Sequence, residues 1–271
     1  FALLGDLAFQ EEKFQEAANY YGKIEGKEFK EKTILKHLQA LYQLEEFDAI
    51  LSQTSYATSS EEISFLIGIS SIKKMNCLKE GKEILALQAK NFLLPIKTPN
   101  LKEKALAPLA EAHAALQEYE AASSIYLHLA EKTFDQKEAF LWHAAEMQLH
   151  FNLDEALLSY QKICNLEESK AFLAAYNQFI ICCQEKKYAY LIEHFSSIEP
   201  LFIQEKKPLL YFWTGVAHFQ QGNSLNAVKQ FKQVVENDSS LLKHKALLYL
   251  VQLAQKEEDA SLFLYAISQL K

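Results

Sequence analysis

The sequence predicts an all-α fold, an array of about eight helix-turn-helix repeats, from three observations. The chain of 271 residues holds only 7 Gly and 5 Pro, too few turn formers for a β-rich fold. Apolar residues recur at helical spacing along nearly its whole length. A set of small, apolar or aromatic, small and aromatic residues, at relative offsets of 0, 9, 12 and 16, also returns about every 34 residues. Its clearest copy lies in Leu209 to Asp238, with Gly215, Ala227 and Phe231. Two small residues let antiparallel helices approach closely, and one ring then locks them.

The first copy is Gly5, Phe14, Ala17 and Tyr21, followed by Ile24. The second repeat, from about Glu28 to Gln53, is degenerate: two helical stretches flank Leu44 to Phe47, and the second is short. The polar tract Ser52 to Ser60 breaks the pattern, and Ser59 with Glu62 is expected to form a capping box for the next helix. A third repeat reads Gly68, Cys77, Glu80, Ile84 and Leu87. The fourth, Ala110, Tyr119, Ala122 and Tyr126, follows at 42 residues, an excess assigned to the proline-containing stretch Asn91 to Asn100. Pro108 is expected to kink the first helix of that repeat or mark a later start.

Ala144, Leu153, Ala156 and Tyr160 form the fifth copy, with Asn152 as N-cap and Glu155 as its partner. The sixth is weaker, with Phe179, Tyr188, Leu191 and Phe195. Pro208 suits the first turn of the seventh repeat, and Tyr249, Ser261 and Tyr265 mark the eighth. The chain is thereby divided into an N-terminal set of about three repeats (1–90), a break (91–100) and a C-terminal array of about five (101–271).

These residues resemble the tetratricopeptide repeat family, best in the first, fourth, fifth and seventh copies. The resemblance implies a right-handed α-solenoid. It also implies an inner surface lined by the first helix of each pair, at offsets of −3, +1 and +4 from its small residue. Here those positions are Ala2, Asp6 and Phe9; Phe65, Ile69 and Ile72; Leu141, Ala145 and Gln148; Tyr176, Ile180 and Cys183; and Phe212, Val216 and Phe219, with Trp213 beside them. Family members that clamp a carboxylate carry Lys, Arg and Asn there, so that mode does not transfer. Because Gly5 falls midway along its helix, the sequence is expected to be cut from a longer protein.

Chemistry is sparse. The net charge is −7, against a basic nucleic-acid interface, and every basic residue is Lys, with none of the forked guanidinium contacts of Arg. Cys77, Cys164, Cys182 and Cys183 show no metal-ligand spacing and are expected to act as small buried hydrophobes. Phosphate loops, nucleophile elbows and zinc-protease motifs are missing. Acid pairs such as Glu167-Glu168 are expected on outer faces, His113 and His218 as hydrogen-bonded core histidines, and the His143–Glu146 spacing as uninformative. No run of residues is long and apolar enough to span a membrane.

The expectation is therefore a non-catalytic scaffold or adaptor without cofactor or metal. Its partner is a protein or peptide that lays an apolar or amphipathic segment on Phe9, Phe65, Ile69, Ile72, Leu141, Gln148, Tyr176, Ile180, Phe212, Trp213, Val216 and Phe219. A secretion or envelope-assembly factor fits this description, in the cytoplasm or anchored through a preceding segment. The alternatives are the regulatory or substrate-recruiting region of a larger enzyme, and a stripe closed by the solenoid itself, by preceding residues or by a second copy of the chain.

Overall fold

A computed structural model describes residues 1–166, 168–237 and 241–270. Glu167 and Asp238 lie outside the described residues. Those residues form sixteen α-helices and no strand, and they divide into two compact units. The first, Phe1–Phe151, holds α1 (Ala2–Gln10), α2 (Phe14–Gly22), α3 (Lys27–Gln43), α4 (Phe47–Leu51), α5 (Glu61–Cys77), α6 (Lys82–Leu93), α7 (Pro99–Ala115), α8 (Tyr119–Lys132) and α9 (Lys137–Gln148). The second, Asn152–Lys271, holds α10 (Leu153–Cys164), α11 (Ala171–Gln184), α12 (Tyr188–Ile198), α13 (Lys207–Gln220), α14 (Ser224–Asn237), α15 (Leu241–Lys256) and α16 (Ala260–Gln269).

Within each unit every helix packs on the next in sequence. Alternate helices also touch: α1 with α3, α3 with α5, α5 with α7, and α13 with α15. The first helix of a pair therefore lies against the first helix of the following pair, a consequence of short connections between amphipathic helices.

Close approach within a pair depends on a missing side chain. A Cβ on Gly215 would lie 2.8 Å from Cε1 of Phe231, and one on Gly5 would lie 2.6 Å from Cε1 of Tyr21. Both separations are well inside carbon contact distance, so any larger side chain there must displace the ring or the backbone. Ala17, Ala122, Ala156 and Ala227 are fully buried, as their place in the pattern requires.

The third copy differs from its expected register. Gly68 meets Leu93, 2.6 Å from its hypothetical Cβ, and not Ile84, which is 77% exposed. Leu87 is exposed as well, while Ala86, Ala89 and Leu93 face the core. The interval from Gly68 to Leu93 is 25 residues, against 16 from Gly5 to Tyr21 or Gly215 to Phe231. Four of the nine extra residues lengthen α5 beyond Gly68, one lies in the turn, and four lengthen α6 before Leu93. The excess was expected in Asn91 to Asn100; it is instead about one added turn on each helix.

A recurring turn joins the helices of a pair. In the first unit Glu12, Glu45 and Gln117 have φ of 58°, 58° and 60°, and in the second Lys186, Gly222 and Glu258 have φ of 52°, 73° and 57°. The next residue's N–H then reaches the carbonyl five residues back, as Lys13 does to Ala8 and Asn223 to His218, both at 2.9 Å. This left-handed cap satisfies carbonyls at the end of the first helix.

Other expectations meet mixed outcomes. Asn152 accepts from the N–H groups of Asp154 and Glu155, and its amide donates to Glu155 at 2.9 Å. Ser60, not Ser59, caps α5, accepting from Ile63 N–H at 3.2 Å. Pro108 lies inside α7, which starts at Pro99; its missing N–H frees the carbonyl of Lys104, an exposed residue four positions back. Segment 52–59 is mostly a 3-10 helix (Thr54–Ser59), and α4 has only 5 residues. Phe179, where a small residue usually stands, is fully buried, and α11 and α12 touch far less than α13 and α14. Phe202 folds back after α12 to fill that space, its ring 5.6 Å from that of Phe179. In the last pair Ser261 is exposed, and Leu262 and Ala266 face the core instead. Tyr249, on α15, packs against the preceding pair, stacked on Phe231 at 4.9 Å.

Candidate functional site

The stripe residues separate into buried and partly accessible groups. In the first unit α5 buries Ile72 and leaves Phe65 and Ile69 half-buried over the core that includes Met75 and Leu93. Phe9 on α1 is half-buried, edge-on to Phe14 at 5.5 Å. Leu141 and Gln148 on α9 are buried. The charged member of the stripe, Asp6, is tied down: it accepts from Tyr21 hydroxyl at 2.7 Å and from Lys36 at 2.8 Å. Those two hydrogen bonds, that from Lys36 foremost, hold its carboxyl below the usual range.

In the second unit Tyr176 and Ile180 on α11 are half-buried, and Tyr176 joins the ring cluster of Phe172, Phe179 and Phe202. Phe212 and Val216 on α13 are buried, at 6% and 4% exposure. Phe212 is surrounded by the rings of Trp213, Phe231 and Tyr249. Trp213 and Phe219 remain half-accessible, with Phe219 edge-on to Tyr249 at 5.2 Å. The first-helix face is thus neither bare nor closed: its small and central side chains are packed away, and aromatic and aliphatic flanks reach solvent.

More exposed apolar residues lie elsewhere, as with Ile84 and Leu87 on α6 and Leu225 on α14. For α6 the sequence reading placed them in the core, because it set that helix nine residues out of register.

Reactive groups are muted. Burial pushes the thiols of Cys164, Cys182 and Cys183 up, to about 11, 12 and 12, away from the thiolate a nucleophile needs. Cys77, expected inside, is exposed at the end of α5. His113 is buried and contacts Glu118 through Nδ1, while Glu118 also takes Lys90 Nζ at 2.6 Å. This carboxylate, held low chiefly by Lys90, links α6, α7 and the start of α8. His218 departs from expectation: it is buried, yet its Nδ1 has no hydrogen-bond partner among the described residues, and burial lowers its pKa. His143 and Glu146 meet at 3.3 Å on the surface. Among the described residues no group of three or more His, Cys, Asp or Glu is placed to hold a metal ion, and no helix is long and apolar enough to cross a membrane.

One polar cavity was not anticipated. It lies in the first unit between α2, α3 and the 3-10 turn, lined by Lys30, Thr33, His37, Gln53, Tyr56 and the ring of Tyr21. Its sequence signal is weak, since Lys30, Thr33 and His37 share a helix face in any amphipathic reading of α3. Comparison with protein-family models finds no match for this chain, and none of the curated proteins matches it significantly.

Proposed function

We propose that this protein is a non-catalytic interaction scaffold built from about eight tetratricopeptide-like repeats, each unit winding as a right-handed solenoid. The small-to-ring contacts of Gly5 with Tyr21 and Gly215 with Phe231, and the repeated left-handed turn, support the repeat assignment. The functional reading rests chiefly on the half-accessible apolar flank of the first helices. Phe65 and Ile69 in one unit pack on the core that includes Leu93, Trp213 and Phe219 in the other pack on the core that includes Phe231, and these four, with Tyr176 and Ile180, present rings and branched side chains to solvent. Such residues bind an apolar or amphipathic segment by burying a few anchors, while the buried Ile72, Leu141, Gln148, Phe212 and Val216 hold the helices that carry them.

Site-specific photo-cross-linking in the native cell tests the reading. A photoreactive amino acid at Ile69 or Trp213 is compared with one at Leu87 or Leu225, exposed apolar positions off the stripe. A discrete adduct from the stripe positions alone is expected. Equal labelling from both sets, or none from the stripe, would overturn it.

A further inference from the structure

The polar cavity beside α3 has the composition of an anion site. Its volume is about 90 Å3, room for several waters or one tetrahedral oxyanion. Lys30 and His37 lie two turns apart on one face of α3, and among the described residues no carboxylate lines the cavity. Three other lysines of the first unit are neutralised: Lys36 pairs with Asp6, Lys74 with Asp48 and Lys90 with Glu118. Lys30 has no such partner among the described residues. Nor do His37 and the Tyr56 hydroxyl have a hydrogen bond among them, and the Gln53 amide makes only a long one, 3.4 Å to Ser52. Thr33 is different, because its hydroxyl donates to Phe29 carbonyl at 3.0 Å.

We propose that this cavity binds a small tetrahedral oxyanion, phosphate or sulfate or a terminal phosphoryl group, through Lys30, protonated His37 and hydrogen bonds from Gln53 and Tyr56. A cation would find no ligand of opposite charge there, and an apolar ligand would strand the donors. Two positive groups facing one cavity repel each other when it is empty, and a bound anion turns that repulsion into attraction. His37 is held below its ordinary pKa, by burial first and by Lys30 second. The groups facing His37 are few: Lys30 on its own helix, the Tyr21 ring from α2 at 6.2 Å, and neutral Gln53 and Tyr56 from the 3-10 turn. Asp6, the carboxylate behind the Tyr21 ring, is already engaged by Tyr21 and Lys36.

Sulfate is the cleaner probe, because its charge does not change between about pH 6 and pH 8, where histidine titrates. Because sulfate also stabilises proteins by exclusion, melting temperature is not the readout. Instead, the imidazole resonances of the eight histidines are followed by NMR during sulfate titration at fixed ionic strength. The His37 signal is expected to move with saturation and its pKa to rise, with the others unmoved. Lys30→Ala should weaken binding about ten- to a hundredfold, the loss of one charged hydrogen bond. His37→Gln, checked for folding by circular dichroism, should bind by calorimetry with no pH dependence over the same range. A non-saturating His37 shift, or a Lys30→Ala variant that binds as wild type does, would overturn the site. Orthophosphate against a phosphate monoester then separates a free ion from a phosphoryl group on a larger ligand, either of which fits the cavity chemistry.

Discussion

A single methyl group at Gly215 should decide whether α13 and α14 are held by a missing side chain. The new Cβ would lie 2.8, 2.9 and 3.1 Å from three atoms of the Phe231 ring. Carbon atoms rest at roughly 3.5–4.0 Å, so ring or backbone must yield by nearly an ångström. The ring has nowhere to go, being fully buried, stacked on Tyr249 at 4.9 Å and edge-on to Phe212 at 5.9 Å. Overpacking of this kind costs about 1–3 kcal/mol, while Gly-to-Ala in a helix interior returns about 1 kcal/mol. Gly215→Ala should therefore range from neutral to about 2 kcal/mol destabilising, where propensity alone would stabilise.

Phe231→Leu supplies the second edge of the cycle. Alone it should cost roughly 1–3 kcal/mol through lost ring contacts. Combined with Gly215→Ala it opens space for the methyl, and the alanine then becomes favourable. The coupling between the two sites should reach about 1–3 kcal/mol, read from urea midpoints by circular dichroism. Gly22→Ala is the control, since its Cβ meets only His37 Cε1 at 4.0 Å and should fit without strain. Gly215→Ala stabilising by the same amount in both backgrounds would refute the close-approach argument and the repeat register built on it.

The left-handed turns make a second prediction. Glu45→Gly, Gln117→Gly and Lys186→Gly each remove a side chain from φ between 52° and 60° and should stabilise by roughly 0.5–1 kcal/mol, while Gly222→Ala should destabilise by a similar amount; urea melts of the single variants check both signs. Stability should also depend on pH through His37 and His218, whose pKa values both lie below 6.5 in the folded chain. The unfolded chain then binds the proton more tightly, so stability is lost as pH falls through 6.5 toward the native values. Asp6, Glu61, Glu118 and Glu199, all shifted down, contribute only at lower pH, below their ordinary values of 3.8 to 4.5. His218→Leu should flatten the upper part of that profile, and an unchanged slope would refute its burial as a neutral ring. Ala227→Leu, at a fully buried position, should cost about 1–3 kcal/mol and Tyr126→Ala roughly 3–5 kcal/mol in the same melts.

Much of the fold was legible because its strongest signals are steric and local. Glycine or alanine opposite an aromatic at an offset of 16 states how closely two helices pass, and Gly5, Ala110 and Gly215 all carry that statement. The third pair misled because its own pattern is satisfied twice. Ile84 and Leu87 fit the expected offset, but Ala86, Ala89 and Leu93 offer an equally periodic face on the opposite side of the helix, in a register nine residues later. A lengthened pair shifts every residue on its second helix together, and periodicity within one helix cannot register that shift. The turns were hidden for a different reason. Five of the six left-handed positions named above are Glu, Gln or Lys, so the usual glycine signal is present only at Gly222.

The stripe on the first helices was legible in position but not in accessibility, and the cause is the alternate-helix contact. Spacing fixes which residues share a face, so Phe212, Val216 and Phe219 could be grouped correctly on α13. Whether that face meets solvent depends on the next first helix, which the pattern of α13 does not encode. Here α15 brings Tyr249 across, and its ring contacts Phe212, Phe219 and Phe231. Phe212 thereby becomes core while Phe219, two-thirds of an ångström closer to Tyr249 between ring centres, keeps an open edge. Two charges at Phe212 and Phe219 would therefore break packing before they could report on a partner. A charge placed at Ile69 or Ile180, both half-buried, is expected to report on binding with the fold intact.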